Sequence, residues 1–432
     1  LKFHQTSFRH LCICSLALVL LLQTGCSEAV SSGTAASSAS AASGISSAAA
    51  SDSSAADTGS SGSQTASEAA SAAAGESAST ETSGTAVSKK TDKDSSASSA
   101  ETVASGKTAG SAASEGASVP KGMYLSELTG EPISSKLKNQ RPIAAMVDND
   151  SRALPHYGTA DADVVYELMN STANNRVTRL MVLVKDWGKI KRLGSIRSTR
   201  PTNILLASEW NAVLCHDGGP YYNNQYFSRK YSAHLSGIFS RVSNGKPWEF
   251  TEYILPGDLK SAMNNYGIST SYNSYLPQKG SHFHFTGYGS SVDLQKEYDS
   301  VLPASKVSLP FWNNGSKLIY NKKTGTYDYY EYGKIHKDAD TGKVLTFKNV
   351  ILQDCTFTKL DQNGYLIYNC IDSAQPGFYL TGGYAKDIGW SKNGETAVTK
   401  YYDSTGEEIT LNTGKTYIAL VPSDTWNKVV LK

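Results

Sequence analysis

Arg141-Pro142-Ile143-Ala144-Ala145-Met146-Val147-Asp148-Asn149 decides how the folded part of this chain is read. Five apolar residues run without alternation between a proline and two polar residues. Such a run fits a strand covered on both faces, the pattern of largely parallel sheets. Residues 180–184, closed by Lys185 and Asp186, and 212–215, closed by His216 and Asp217, have the same form. Between the first two runs, Thr159 precedes Ala160, Val164 and Leu168, with Asp161 and Asp163 early. That spacing predicts a capped helix with acids at its positive end. Between the second and third, Pro201 opens a predicted helix through Ile204, Leu205 and Glu209, and Pro256-Gly257-Asp258 precedes another over 259–266. The order predicts an α/β domain with a mostly parallel sheet over residues 120–280.

From about Ser281 the pattern changes. Alternating segments such as Lys317-Leu318-Ile319-Tyr320 and Tyr365-Leu366-Ile367-Tyr368 are separated by Lys323-Thr324-Gly325, Asp340-Thr341-Gly342, Asn393-Gly394 and Ser404-Thr405-Gly406. Turn signals at this spacing predict a β-rich antiparallel domain over 281–432. Asp361-Gln362-Asn363-Gly364 reads as a hairpin turn between Cys355 and Cys370. A two-residue loop would set these cysteines opposite each other and allow a disulfide. A three-residue loop would separate them and leave two buried thiols.

The leading part speaks of location. Lys2 and Arg9 precede an apolar run from Leu11 to Leu22, then Gln23-Thr24-Gly25-Cys26. The run is too short to cross a bilayer, which needs roughly twenty residues, and reads as a signal segment over 1–25. Cys26 after a small residue is the expected lipidation site, although Gln23 stands where lipoprotein signals usually carry an aliphatic residue. Residues 26–119 are rich in Ser, Ala, Gly and Thr, hold no aromatic residue and are expected to form a disordered linker. The expected setting is therefore the outer side of the cell membrane, through a lipid anchor.

The chain carries a formal charge of +2. The acidic balance of the linker leaves the folded part mildly basic, too little to argue for nucleic acid, which asks for clustered Lys and Arg. All 25 tyrosines follow residue 123, as suits strand-rich exported domains and also sugar contacts.

The segment Gly194-Ser195-Ile196-Arg197-Ser198-Thr199-Arg200-Pro201 sets two arginines and three hydroxyls before a helix start. Helix N-termini and planar guanidinium forks both suit anions. If the three strands run parallel, their polar ends, Asp148 with Asn149, Lys185 with Asp186, and His216 with Asp217, share an edge with Arg197 and Arg200, beside a Gly218-Gly219 turn. Ligands of open α/β sheets bind at such edges. The structural alternative pairs Arg197 and Arg200 internally with Asp148, Glu167 or Asp217.

No Gly-x-Ser-x-Gly elbow, His-Glu-x-x-His or Walker loop occurs. His282 and His284 share a strand face, but without an acidic ligand nearby they read as ordinary packing, so no metal or cofactor is expected. Cys215-His216-Asp217 are sequence neighbours, and neighbours on a strand point to opposite faces.

The stretch 141–149 resembles the opening strand of the YerB-like lipoproteins. So do Ala160-Asp161-Ala162-Asp163-Val164-Val165-Tyr166-Glu167, Thr178-Arg179, the 194–201 segment and His216-Asp217-Gly218-Gly219. Phe347-Lys348-Asn349-Val350, Gly389-Trp390-Ser391-Lys392 and Asn412-Thr413-Gly414-Lys415-Thr416-Tyr417 extend the resemblance through the second half. The chain departs from the family at 169–175, in place of a Glu-Gly-Gly-like turn, and at Gly333-Lys334, where an Arg is usual. The resemblance implies a two-domain envelope lipoprotein and supplies no reaction. The reading is a binding or scaffolding module for an anionic cell-wall polymer or an envelope protein. The alternative is a hydrolase or transferase acting on wall polymers through Asp148, His216 and Asp217.

Overall fold

The computed structural model describes residues 117–276 and 282–432. The signal segment, Cys26 and nearly all of the linker lie outside the described residues.

Eleven strands form one sheet: β1 (Ile143–Asp148), β2 (Val164–Met169), β3 (Thr178–Val184), β4 (Val213–His216), β5 (His234–Ser236), β6 (Leu302–Pro303), β7 (Asn349–Cys355), β8 (Gln375–Thr381), β9 (Tyr384–Ser391), β10 (Lys400–Tyr402) and β11 (Thr416–Pro422). Their order is β6-β9-β8-β7-β11-β2-β3-β1-β4-β5, with β10 on β9. The three apolar runs are strands, and every residue of β1, β2 and β3 is buried.

The sheet is mixed, which corrects the expected mostly parallel arrangement. β1 is parallel to β4, and β4 to β5; β2 is parallel to β11, and β11 to β7. β3, however, runs antiparallel to both β1 and β2. A strand buried on both faces is apolar throughout in either orientation, so a continuous run does not reveal direction. The helix predicted from Thr159 is also corrected. A short 3-10 turn, Thr159–Asp161, is followed by β2. Val164, Val165 and Tyr166 favour strand, and the spacing of Ala160, Val164 and Leu168 matched a helix only by coincidence.

Alternate residues of β1 feed two cores. Ile143, Ala145 and Val147 join Leu318, Tyr327, Tyr329 and Phe347 of a second, six-stranded antiparallel sheet. Ala144 and Met146 join Ile204, Leu205 and Leu206 of helix α1 (Pro201–Glu209). The helix predicted over 259–266 is α2 (Asp258–Asn265). Among the described residues no helix is long and apolar enough to cross a membrane.

Candidate functional site

The carboxyl ends of β1 and β4 lie on the same edge of the sheet, because these strands are parallel and adjacent. Asp148 closes β1 there and is buried. The antiparallel register sets Arg179, near the start of β3, opposite Asp148. Lys185, at the far end of β3, therefore lies at the other edge, unlike the sequence expectation. Asp148 Oδ1 accepts from Arg179 Nη1 at 2.8 Å and from Asp150 N at 2.9 Å. Its Oδ2 accepts from Arg197 Nε at 2.8 Å. Arg197 Nη2 reaches onward to Glu249 at 2.7 Å.

Arg200 stands one residue before α1 and is also buried. Its Nε donates to Asn170 O at 2.8 Å, and its Nη1 donates to Thr199 O at 2.7 Å and to Ser198 Oγ at 3.2 Å. The guanidinium lies 4.6 Å from the ring centre of Tyr365. None of these partners is a carboxylate. Burial, then Arg179, push its pKa down to about 9; Arg197 adds to this, and Tyr365 and then Asp361 oppose it. Three arginines thus share this edge with one deeply buried carboxylate.

The Gly218-Gly219 turn closes over the arginine segment. Asp217 N donates to Arg197 O and Thr199 N to Gly218 O, at 3.0 and 3.2 Å. Gly219 has φ +152°, and a Cβ there would meet Asn223 Nδ2 at 2.2 Å and Thr199 O at 2.9 Å, so this close approach needs glycine. Both glycines are exposed, and Arg197 and Ser198 are partly so.

The other sequence candidates have different surroundings. His216 is buried, with Nδ1 2.8 Å from Gly218 O and Nε2 3.1 Å from His234 Nδ1. Burial lowers its pKa to about 4, so it is neutral near pH 7. Asp217 accepts from Arg241, not from Arg197 or Arg200. The structure therefore gathers Asp148, Arg197 and Arg200 with Arg179, Asn170 and Tyr365, and sets the His216 and Asp217 side chains apart. Arg179 went unsingled in the sequence because its partner is set by an antiparallel register. Asn170 falls in the segment where the chain departs from the YerB-like pattern.

Two further buried carboxylates brace the fold. Glu167 accepts from Asn149, Thr178, Asn314 and Ser316 at Oε1, and from Tyr329 and Tyr417 at Oε2. Burial raises its pKa against these donors. Glu209 holds Tyr166, His282, Lys392 and Thr399. His282 thus pairs with Glu209 and stacks on Trp210, while His284 is exposed on a short strand. A cavity of about 410 Å³, lined by Tyr124, Glu127, Phe283 and Phe285, contains none of the arginine-edge residues.

The hairpin after β7 pairs Phe357 with Tyr368 and Lys359 with Leu366, the register that sets residue 355 opposite 370. Cys355, Cys370 and Cys215 are nonetheless free and buried, and burial raises all three thiol pKa values. All three are expected to resist alkylation in native protein and to react fully after unfolding without reductant, mapped by mass spectrometry. Protection of Cys355 and Cys370 alone in the unfolded chain would show that the bridge forms.

Two family models match the chain. One is "Protein of unknown function (DUF3048) N-terminal domain", over residues 128–269, and the other is its C-terminal domain, over 307–418. "Putative lipoprotein YerB" of Bacillus subtilis (strain 168) is 24% identical over 303 residues, which is 68% of this chain and 85% of that protein. The crystal structure of the YerB protein from Bacillus subtilis shares the fold, with a TM-score of 0.58 and 19% identity, over 72% of this chain and 99% of that one.

Proposed function

Because the chain belongs to the DUF3048 family of proteins of unknown function, we propose that it is a lipid-anchored binding module of the cell envelope whose arginine edge takes an anionic envelope polymer. The anchor rests on Cys26 after a signal-like leader and on the lipoprotein name of its Bacillus relative. The single observation that carries the binding reading is Arg200. It is a buried cation with no carboxylate among its hydrogen-bond partners, beside two other arginines that share Asp148. An incoming phosphate or carboxylate would supply the missing charge, through charge-assisted hydrogen bonds. Ser198 and the exposed Gly218-Gly219 turn border the approach. Tyr221 and Trp248, each 71% exposed, stand beside the Gly-Gly turn and Glu249 and offer flat faces for sugar rings. The wall-polymer hydrolase reading has less support: Asp148 is held by two arginines, and His216 contacts neither it nor a nucleophile.

The test is calorimetric titration of polyol-phosphate wall fragments into the full chain. Wild type is expected to bind. Arg200→Gln is expected to weaken binding by about 1.5–3 kcal/mol, and Arg197→Lys to weaken it too, because Lys lacks the planar fork. Absence of binding to wild type, or equal binding by the variants, overturns the reading. Cleavage of the fragments would replace it with the enzyme reading.

A further inference from the structure

Beneath the arginine edge, His156, Glu331 and His336 meet in the interior, each with no more than 4% of its surface exposed. One donor atom from each lies within 4.8 Å of the other two. His156 follows the turn Ser151–Ala153, Glu331 ends the strand Thr326–Glu331, and His336 returns across a hairpin to bond Tyr329. His156 comes from a distant segment, so no local spacing joins it to Glu331 and His336, which share one hairpin, and the pair His282 and His284 is elsewhere.

Two of the donor atoms have no hydrogen-bond partner: His156 Nδ1 and Glu331 Oε2. Buried polar atoms are rarely left so. His156 Nδ1 is 3.7 Å from Glu331 Oε1, and His336 Nδ1 is 2.7 Å from the same oxygen. The outer nitrogen of each ring is already held. His156 Nε2 is 2.5 Å from Asp148 O, and His336 Nε2 is 2.8 Å from Thr159 Oγ1. An N–H donated outward at each Nε2 leaves both Nδ1 lone pairs facing Glu331. Metal-binding histidines are oriented in this way by their outer hydrogen bonds.

We propose that His156, Glu331 and His336 form a binding site for one divalent transition-metal ion of the zinc class. Two imidazole nitrogens and one carboxylate are a ligand set that zinc accepts. Imidazoles ligate in their neutral form, and burial disfavours the charged form of both rings. Binding releases any proton shared by Glu331 and His336. Because the site is enclosed, the ion acts as a clasp. It ties the 151–156 turn to the hairpin that carries Glu331 and His336, and through His156 it steadies the Asp148 carbonyl. This site goes beyond the anion reading and does not depend on it.

The test uses the full chain, stripped with a chelator and then given Zn2+ or Co2+ alone. Wild type is expected to bind one ion per chain with a raised Tm. Its Co2+ form should show visible d–d bands without the thiolate charge-transfer band that a cysteine site would give. His156→Ala and Glu331→Gln are expected to abolish binding, and His284→Ala to leave it unchanged. Thr159→Val, which removes only an outer hydrogen bond, should weaken binding about 10–100-fold. Should the ligand variants fail to fold, the wild-type stoichiometry and Co2+ spectrum decide. No ion bound by wild type, a thiolate band, or full binding by a folded His156→Ala overturns the proposal.

Discussion

Asp148→Ala is expected to destabilise the protein by about 3–5 kcal/mol, the usual cost of removing one partner from a buried ion pair. The variant strands Arg179, whose side chain is 7% exposed and whose salt bridge is to Asp148. Arg197 keeps Glu249 and is 21% exposed, so it adds less. Asp150 N also loses its acceptor. Urea unfolding of wild type and variant near neutral pH measures the difference. Arg197→Ala should cost clearly less, because Arg179 and Asp148 remain paired. A loss below about 1 kcal/mol for Asp148→Ala, the range of exposed pairs, would mean that these charges are not held as described.

Glu209→Gln is expected to rank with it, again at about 3–5 kcal/mol. Lys392 and Glu209 both have fully buried side chains and meet at 3.1 Å. The variant leaves the Lys392 ammonium with the carbonyl of Ala397 and no carboxylate. The same group sets a pH dependence. Burial raises the Glu209 pKa, but Lys392 and His282 outweigh it and hold the carboxyl at about 2, against 4.5 for an ordinary Glu. As acid is added, the unfolded chain takes up this proton first. The contribution of Glu209 is therefore complete above about 4.5 and disappears as pH falls through about 2. Stability followed over that range should fall more steeply in wild type than in Glu209→Gln. Parallel curves would contradict the pairing.

What the sequence disclosed follows from the range of the signals. The apolar runs at 143, 180 and 212 are local, and all three are strands. The turn between Cys355 and Cys370 is local too, and its strands pair in the first of the two registers the sequence left open. Strand direction is not local. β3 carries the same apolar run whichever way it points, so Lys185 was set at the wrong edge and Arg179 was passed over. The stretch 160–168 misled because a strand with both faces covered loses its alternation. Arg197 and Arg200 drew notice as a cluster before a helix start; Arg197 bonds Asp148, whereas Arg200 bonds Asn170, Thr199 and Ser198. Glu167, Glu209 and the His156–Glu331–His336 group were out of reach, since their partners come from distant segments.

One feature of the large sheet bears on how the chain is made. β11, almost the last strand, lies between β2 and β7 and is parallel to both. Until residue 422 has been synthesised, β2 has no neighbour on that side, although both of its faces are buried in the finished fold. An unpaired apolar edge of this kind invites pairing with other chains, and contacts between distant segments form slowly. During synthesis the sheet thus stands half built, and no described residue before 280 pairs with that edge of β2. Nascent chains stalled before β11 should depend on a chaperone or be cleared by proteases, and protease resistance should arrive in a single late step.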